Sequence, residues 1–284
     1  MPDKASAWGD LSARLISAVV MLAVVALALM SGSLGWSLFV LAVTLVMFWE
    51  LAALCEPGIA TVRRISLTFA PLLLPAALAV ALTGGLGVPP PQEAETGLMA
   101  GRVLAGAAAG LGLAVLAGVV NLRSGRWIWA GYAPMVLIGA LFLVYALREF
   151  GVVGVAILVA IVAISDILGY FAGRLLGGPK FWPRVSPKKT WSGTVAGWIG
   201  AGLFGALVFA GQGAALPGAA AAIGLAFAGQ MGDIAESAIK RRAGVKDASA
   251  LIPGHGGFLD RLDALVAAAA LAGILTFIHL VWIA

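Results

Sequence analysis

The sequence predicts an all-α, polytopic transmembrane helix bundle, and three observations lead there. Hydrophobic residues make up 62% of the 284-residue chain and charged residues 11%, with a mean hydropathy of +1.04, a balance that leaves too little polar surface for a soluble domain. The apolar residues gather into about nine runs of membrane-crossing length. Basic residues collect at alternate connections between those runs, as expected of a chain that weaves through a bilayer. Inside lipid every backbone polar group must be satisfied within the protein, so the runs are read as helices.

The runs centre near 15–31, 36–55, 66–84, 98–120, 131–148, 151–175, 193–212, 217–239 and 262–284. The first follows Lys4 and Arg14 and precedes Ser31-Gly32-Ser33, a layout shared with signal peptides; the spans behind it favour an uncleaved signal anchor. The third contains Pro71 and Pro75 and the fifth Pro134, which neighbouring helices can accommodate. Arg63 and Arg64 follow the second run, and Arg123 and Arg126 the fourth. Arg174, Lys180, Arg184, Lys188 and Lys189 follow the sixth, and Lys240, Arg241, Arg242, Lys246 and Arg261 the eighth. Arg102 and Arg148 fall on the opposite side, where the connection from Pro89 to Glu95 carries two Glu and no basic residue. Nine spans with a cytoplasmic amino terminus satisfy this pattern. The chain then divides into an amino-terminal scaffold, 1–150, and a carboxy-terminal module, 151–284, whose basic loops 176–192 and 240–261 face the cytoplasm.

Several function classes drop out. The pI near 9.7 is explained by topology and by contact with anionic lipid headgroups, so nucleic acid is not an expected partner. Cys55 is the single cysteine, which excludes an internal disulfide, and two histidines are too few for a zinc centre. Gly106 with Gly110, and Gly193 with Gly197, have the small-xxx-small spacing that brings helices together, within the bundle or in a homodimer. Trp8, Trp36 and Trp127, near run ends, are expected as interfacial anchors.

Acidic residues inside the runs point to chemistry, because each costs about 2.5–3.5 kcal/mol at a helix centre. Asp166 lies in the sixth run, and Asp233 and Glu236 in the eighth. Asp233, Glu236, Ser237 and Lys240 fall at i, i+3, i+4 and i+7, placing carboxylates, a hydroxyl and a cation on one helix face. A polar seam that sets helix register is the competing reading. Glu50, near the end of the second run, reads as an interfacial residue.

The connection after the eighth run holds Lys246-Asp247, a turn-prone Pro253-Gly254, His255-Gly256-Gly257 and then Asp260-Arg261-Leu262-Asp263. Glycines let backbone N–H groups approach phosphate oxygens. Asp260 and Asp263 are spaced i, i+3, so both can face one ion, and hard oxygen ligands suit Mg²⁺. Helix capping is the alternative for Asp260. In the other basic loop, Ser186, Lys188, Lys189 and Thr190 could hold a phosphate while Trp191 anchors at the interface or stacks on a base.

These residues carry a resemblance. Ser237-x-Ile239-Lys240-Arg241, Lys246-Asp247-x-Ser249 and Ile252-Pro253-x-His255-Gly256-Gly257-Phe258-x-Asp260-Arg261-Leu262-Asp263 are similar to the signature of the phosphatidate cytidylyltransferase, or CDP-diacylglycerol synthase, family. Ser186 to Thr190, and Asp166 with Gly169, Tyr170 and Gly173, also resemble it. The likeness is specific over roughly residues 151 to 284. It implies an integral protein of the bacterial inner membrane, working at the cytoplasmic face. The implied reaction moves CMP from CTP to phosphatidic acid, with release of pyrophosphate.

Under that resemblance Asp233, Asp260 and Asp263 hold Mg²⁺, with Asp166 a further ligand and a second metal ion allowed. Lys240, Arg241, Lys246 and Arg261 bind phosphates, Asp247 and Ser237 complete the signature, and the His255-Gly256-Gly257 turn meets the nucleotide. Ser186, Lys188, Lys189 and Thr190 clamp the lipid phosphate or the triphosphate. Two rivals share parts of this pattern. A CTP-dependent lipid or prenol kinase would move the γ-phosphate, and a transporter would use Asp166 and Asp233 as ion carriers.

Overall fold

The computed structural model describes residues 4–82 and 110–283. Its helices are α1 (Lys4–Met30), α2 (Gly32–Cys55), α3 (Thr61–Leu82), α4 (Gly110–Asn121), α5 (Arg126–Leu175), α6 (Trp191–Ala210), α7 (Ala215–Arg242) and α8 (Leu259–Ile283). Five of them, α2, α5, α6, α7 and α8, are long and apolar enough to cross a membrane. Among the described residues, each predicted run coincides with a helical stretch. The predicted loop from Pro89 to Glu95, Arg102, Gly106 and the start of the fourth run lie outside the described residues.

The fifth and sixth runs follow one another without a loop and are separated by a kink at Gly151, where φ is 65° and ψ −166°. That φ lies in the left-handed region, which side chains with a Cβ disfavour, so glycine makes the break cheap. The segments 126–150 and 152–175 are thus two helices.

One element departs from the all-α expectation. The 176–192 connection contains an antiparallel hairpin, β1 (Lys180–Trp182) and β2 (Ser186–Thr190), with Lys180 opposite Thr190 and Trp182 opposite Ser186. Pro179 and Gly177-Gly178 at its start are turn residues, and Pro179 O accepts from Trp191 N, closing the loop onto α6.

Packing is organised around α5, which lies against α2, α6 and α8, while α7 bridges α6 and α8. Lipid tails give no hydrophobic drive between helices, so close approach relies on small residues. Gly193 and Gly197 do this work: a Cβ on Gly193 would lie 2.4 Å from Gly169 O, and one on Gly197 2.8 Å from Ser165 O. A Cβ on Gly205 would lie 2.4 Å from Gly218 O, tying α6 to α7. A larger apolar core of Phe48, Leu51, Trp129, Val136 and Leu137 joins α2 to the first half of α5.

Trp36 corrects the interfacial expectation. It is 4% exposed, and its Nε1 donates to Leu143 O at 2.8 Å. An indole N–H buried in a bundle must find an acceptor, and the carbonyl one turn upstream of Leu147 supplies it. Trp127, at 76% exposed, stays on the outer surface.

Candidate active site

The site begins with the polar face of α7. Asp233, Glu236, Ser237 and Lys240 share one side of the helix, as their spacing requires. Ser237 Oγ donates to Asp233 Oδ1 at 3.4 Å, and Lys240 pairs with Glu236 at 2.5 Å. Lys240 also reaches Asp260 Oδ1 across to α8 at 2.6 Å. Asp263, one turn into α8, joins Asp233 and Glu236 in a cluster whose carboxylate oxygens lie within 4.8 Å of one another. Glu236 and Asp263 are buried. Glu236 Oε1 has no hydrogen-bond donor among the described residues.

Asp260 sits beside this cluster and is committed elsewhere. Its Oδ2 accepts from Ala248 N at 2.8 Å and from Gly257 N at 2.7 Å, and its Oδ1 faces Lys240. The structure therefore places Glu236, rather than Asp260, with Asp233 and Asp263. Glu236 was visible in the sequence as an acid inside an apolar run. Its grouping with Asp263 depends on how α7 and α8 cross.

The α7–α8 connection is folded on itself. Ile252 and Gly256 form an isolated antiparallel bridge, and Gly254 and Gly256 take φ of +73° and +82°. Ser17 of α1 lies 2.7 Å from His255 Nδ1 and donates to Pro253 O at 3.1 Å. Arg261 Nε donates to His255 O at 2.8 Å. Arg241, Lys246 and Asp247 are exposed on the outer side of this loop.

Glu50 was expected at the interface and is instead fully buried, at 0% exposure. Its carboxylate reaches the same loop, accepting from Ser249 Oγ at 2.5 Å, Phe258 N at 3.1 Å and Leu259 N at 2.7 Å. The apolar run around it ended too near a charged connection for local sequence to separate a buried acid from a surface one.

The hairpin forms the facing wall. Lys189 pairs with Asp233 Oδ2 at 2.5 Å and donates to Gln230 O at 3.4 Å. Thr190 is buried, and its Oγ1 accepts from Gly193 N at 3.3 Å, so it caps α6. Ser186 is half-buried on β2, while Lys188 is exposed.

Two cavities meet here. One of about 490 Å³ is lined by Asp166, Lys188, Lys189, Thr190, Gln230 and Asp233. The other, about 260 Å³, is lined by Asp166, Asp233, Asp260, Arg261 and Asp263. Asp166 and Asp233 thus form a wall common to both. Three carboxylates, Asp233, Glu236 and Asp263, stand together, with Lys189 on Asp233 and Lys240 on Glu236, while Arg174, Lys188 and Arg261 line the surrounding cavities. A carboxylate cluster of this kind, with one buried oxygen of Glu236 lacking a donor among the described residues, suits a hard divalent cation.

A sequence model of the cytidylyltransferase family matches residues 12–279. The chain belongs to the cytidylyltransferase family. Members similar to it include the phosphatidate cytidylyltransferase of Brucella abortus biovar 1 (strain 9-941), 38% identical over 272 residues and covering 92% of each chain. The phosphatidate cytidylyltransferase of Pseudomonas aeruginosa is 35% identical over 179 residues, 58% of this chain and 61% of its own. The match with the Brucella protein covers nearly the whole chain, so the family likeness extends well beyond the 151–284 segment that carries the signature.

Proposed function

We propose that this protein transfers CMP from CTP to phosphatidic acid, giving CDP-diacylglycerol and pyrophosphate. The observation that carries the proposal is the shared wall: two cavities, one beside the Lys188 and Lys189 hairpin, meet at Asp166 and Asp233 next to three clustered carboxylates. Two polyanions must be brought together for this reaction, and adjoining cavities lined by Arg174, Lys188 and Lys189 on one side and Arg261 on the other offer a place for each.

A phosphatidate oxygen attacks the α-phosphorus of CTP; the new P–O bond forms as the bond between the α-phosphorus and its bridging oxygen to the β-phosphate breaks. The electron pair leaves with pyrophosphate. Phosphatidate is already ionised near neutral pH, so no residue has to act as general base. Lys189, held by Asp233, is placed to meet a phosphate at the mouth of the larger cavity. Lys188, Arg241 and Lys246 add positive charge that draws both substrates in. Holding the reactants in line is most of what such a site has to do.

Asp233, Glu236 and Asp263 would hold a divalent cation such as Mg²⁺, which when bound offsets phosphate repulsion and charge on the leaving pyrophosphate. Asp166 is the candidate for a second ion. Asp260 contributes by fixing Lys240 and the loop. In this reading all nine helical stretches cross the membrane, the amino terminus is cytoplasmic, and the site opens to the cytoplasm of a bacterial inner membrane. Residues 151–284 form the catalytic module on the scaffold of 1–150.

The test uses purified protein in mixed micelles with phosphatidic acid and CTP labelled at the α-phosphate, with Mg²⁺ or EDTA. Label should enter lipid with wild type and Mg²⁺, and fall by about 100-fold or more in Asp233→Asn and Asp263→Asn. A parallel reaction with γ-labelled CTP separates the kinase: lipid labelled from the γ-position and not from the α-position would replace this reading with a kinase. No lipid labelling under any metal would overturn it.

A further inference from the structure

Glu50 lies 208 and 209 residues before the two backbone amides it accepts from, Phe258 and Leu259. Those amides open α8, where the first N–H groups of a helix have no partner in the helix itself. A carboxylate there is favoured both as acceptor and by the helix dipole. Ordinarily the acceptor comes from the adjacent chain. Here Asp260 takes Gly257 N from within α8, and Glu50 takes the next two amides from α2.

Resting on the cytidylyltransferase reading of the site, we infer that Glu50 is a positioning residue for the reaction. Its carboxylate docks the start of α8 and sets where Asp260 and Asp263 stand against Lys240, Glu236 and Asp233. The route is short: Asp260 follows Leu259 directly, and it holds the ammonium that pairs with Glu236. Ser249, donating to Glu50 Oε1 at 2.5 Å, draws the middle of the loop to the same point.

The local sequence is shaped to this contact. A Cβ on Gly257 would lie 2.3 Å from Glu50 Oε1 and 2.8 Å from Ser249 Oγ, so only glycine lets the carboxylate approach. Both carboxylate oxygens accept hydrogen bonds, Oε1 from Ser249 and Phe258 and Oε2 from Leu259. Glutamine has one accepting oxygen and an NH₂ that donates. Whichever way its amide turns, a donor faces a donor.

The test compares wild type, Glu50→Gln and Ser249→Ala, all purified in detergent, for transfer of α-labelled CMP and for amide exchange. In Glu50→Gln the expected fall in kcat is about 10- to 100-fold, the scale of a small misplacement of reacting groups. Amides of 257–259 should exchange faster while those in the middle of α2, around Phe48, stay protected. Ser249→Ala, which leaves Glu50 and both amide contacts in place, should lose about 3- to 10-fold in kcat.

Rates within twofold of wild type in both variants would overturn the inference. So would a loss in Glu50→Gln that tracks general unfolding, with α2 amides released as fast as 257–259. Should Glu50→Gln fail to fold, an unchanged rate in Ser249→Ala overturns the inference and a reduced rate with local exchange at 257–259 supports it. Active wild type with indifferent variants removes only Glu50's role, whereas inactive wild type removes the cytidylyltransferase reading as well.

Discussion

The two basic connections of the carboxy-terminal half, 176–190 before α6 and 243–258 before α8, look alike in the sequence and are built differently. The second is held from three sides: Glu50 on α2 takes Ser249, Phe258 and Leu259, Asp260 takes Ala248 and Gly257, and Ser17 on α1 meets Pro253 and His255. The first is a two-stranded hairpin whose main links to the bundle are the backbone bond to Trp191, the Thr190 cap of α6, Ser192 donating to Gly177 O, and Lys189 on Asp233. Lys180, Arg184 and Lys188 stay exposed on it. Beside the second loop the charge is divided: Lys240, half-buried near the end of α7, is taken up by Glu236 and Asp260, while Arg241, Arg242 and Lys246 stay exposed. In the first, Lys188 and Lys189 line the larger cavity. Basic residues near a connection therefore do not all have the same role, and partners decide which cations can meet a phosphate.

The contrast is broken or sharpened first at Lys240. Lys240→Met removes the one cation paired with buried Glu236 among the described residues, and breaking such a pair costs about 3–5 kcal/mol. Transfer should fall at least about 100-fold and the thermal midpoint should drop on the order of 10 °C, measured by label transfer and by a melting curve in detergent. Wild-type stability with only a raised KM for CTP would show that Lys240 faces substrate, and the contrast would collapse.

The hairpin should behave in the opposite way. Lys189→Ala is expected to lower kcat/KM about 100-fold through loss of a positioned cation, and Lys188→Ala about 3- to 10-fold through weaker attraction of anionic substrates. Lys188→Ala should leave the midpoint within about 2 °C of wild type, because an exposed charge contributes little to stability, and Lys189→Ala, which frees the half-exposed Asp233, should lower it by less than half of the Lys240→Met drop. A large loss of stability in either would make the hairpin a structural element like its counterpart.

The smallest effect lies away from both loops. Glu56, following α2, pairs with Arg63 at 2.6 Å and accepts from Arg123 N at 2.6 Å. The Arg63 hydrogen bond, with help from the Arg123 and Ser124 amides, holds its carboxyl below the usual carboxylate range. A lowered folded value means the contribution is complete above the unfolded value of roughly 4.3 and is lost as pH falls through the lower folded value. Glu56→Gln should flatten the fall of the midpoint below about pH 4.5 and shift it by about 1–3 °C at neutral pH, with no change in transfer rate.

The sequence by itself determined the helical class with its long apolar helices, the position of the helical stretches among the described residues, and the residues to consider for a site. These are local properties: apolar run length, the desolvation cost of Asp166, Asp233 and Glu236 in such runs, and glycines beside charged residues. Tertiary structure alone decided which acids share a space. Asp260 and Asp263 are three residues apart and equally suited to an ion, yet α8 turns Asp263 toward Asp233 and Glu236 while Asp260 is taken up by Lys240 and two loop amides. Glu50 shows the same limit over a longer distance, since its partners lie some 200 residues on. Burial and pairing are properties of what surrounds a side chain, and in a helix bundle most of those surroundings come from other helices.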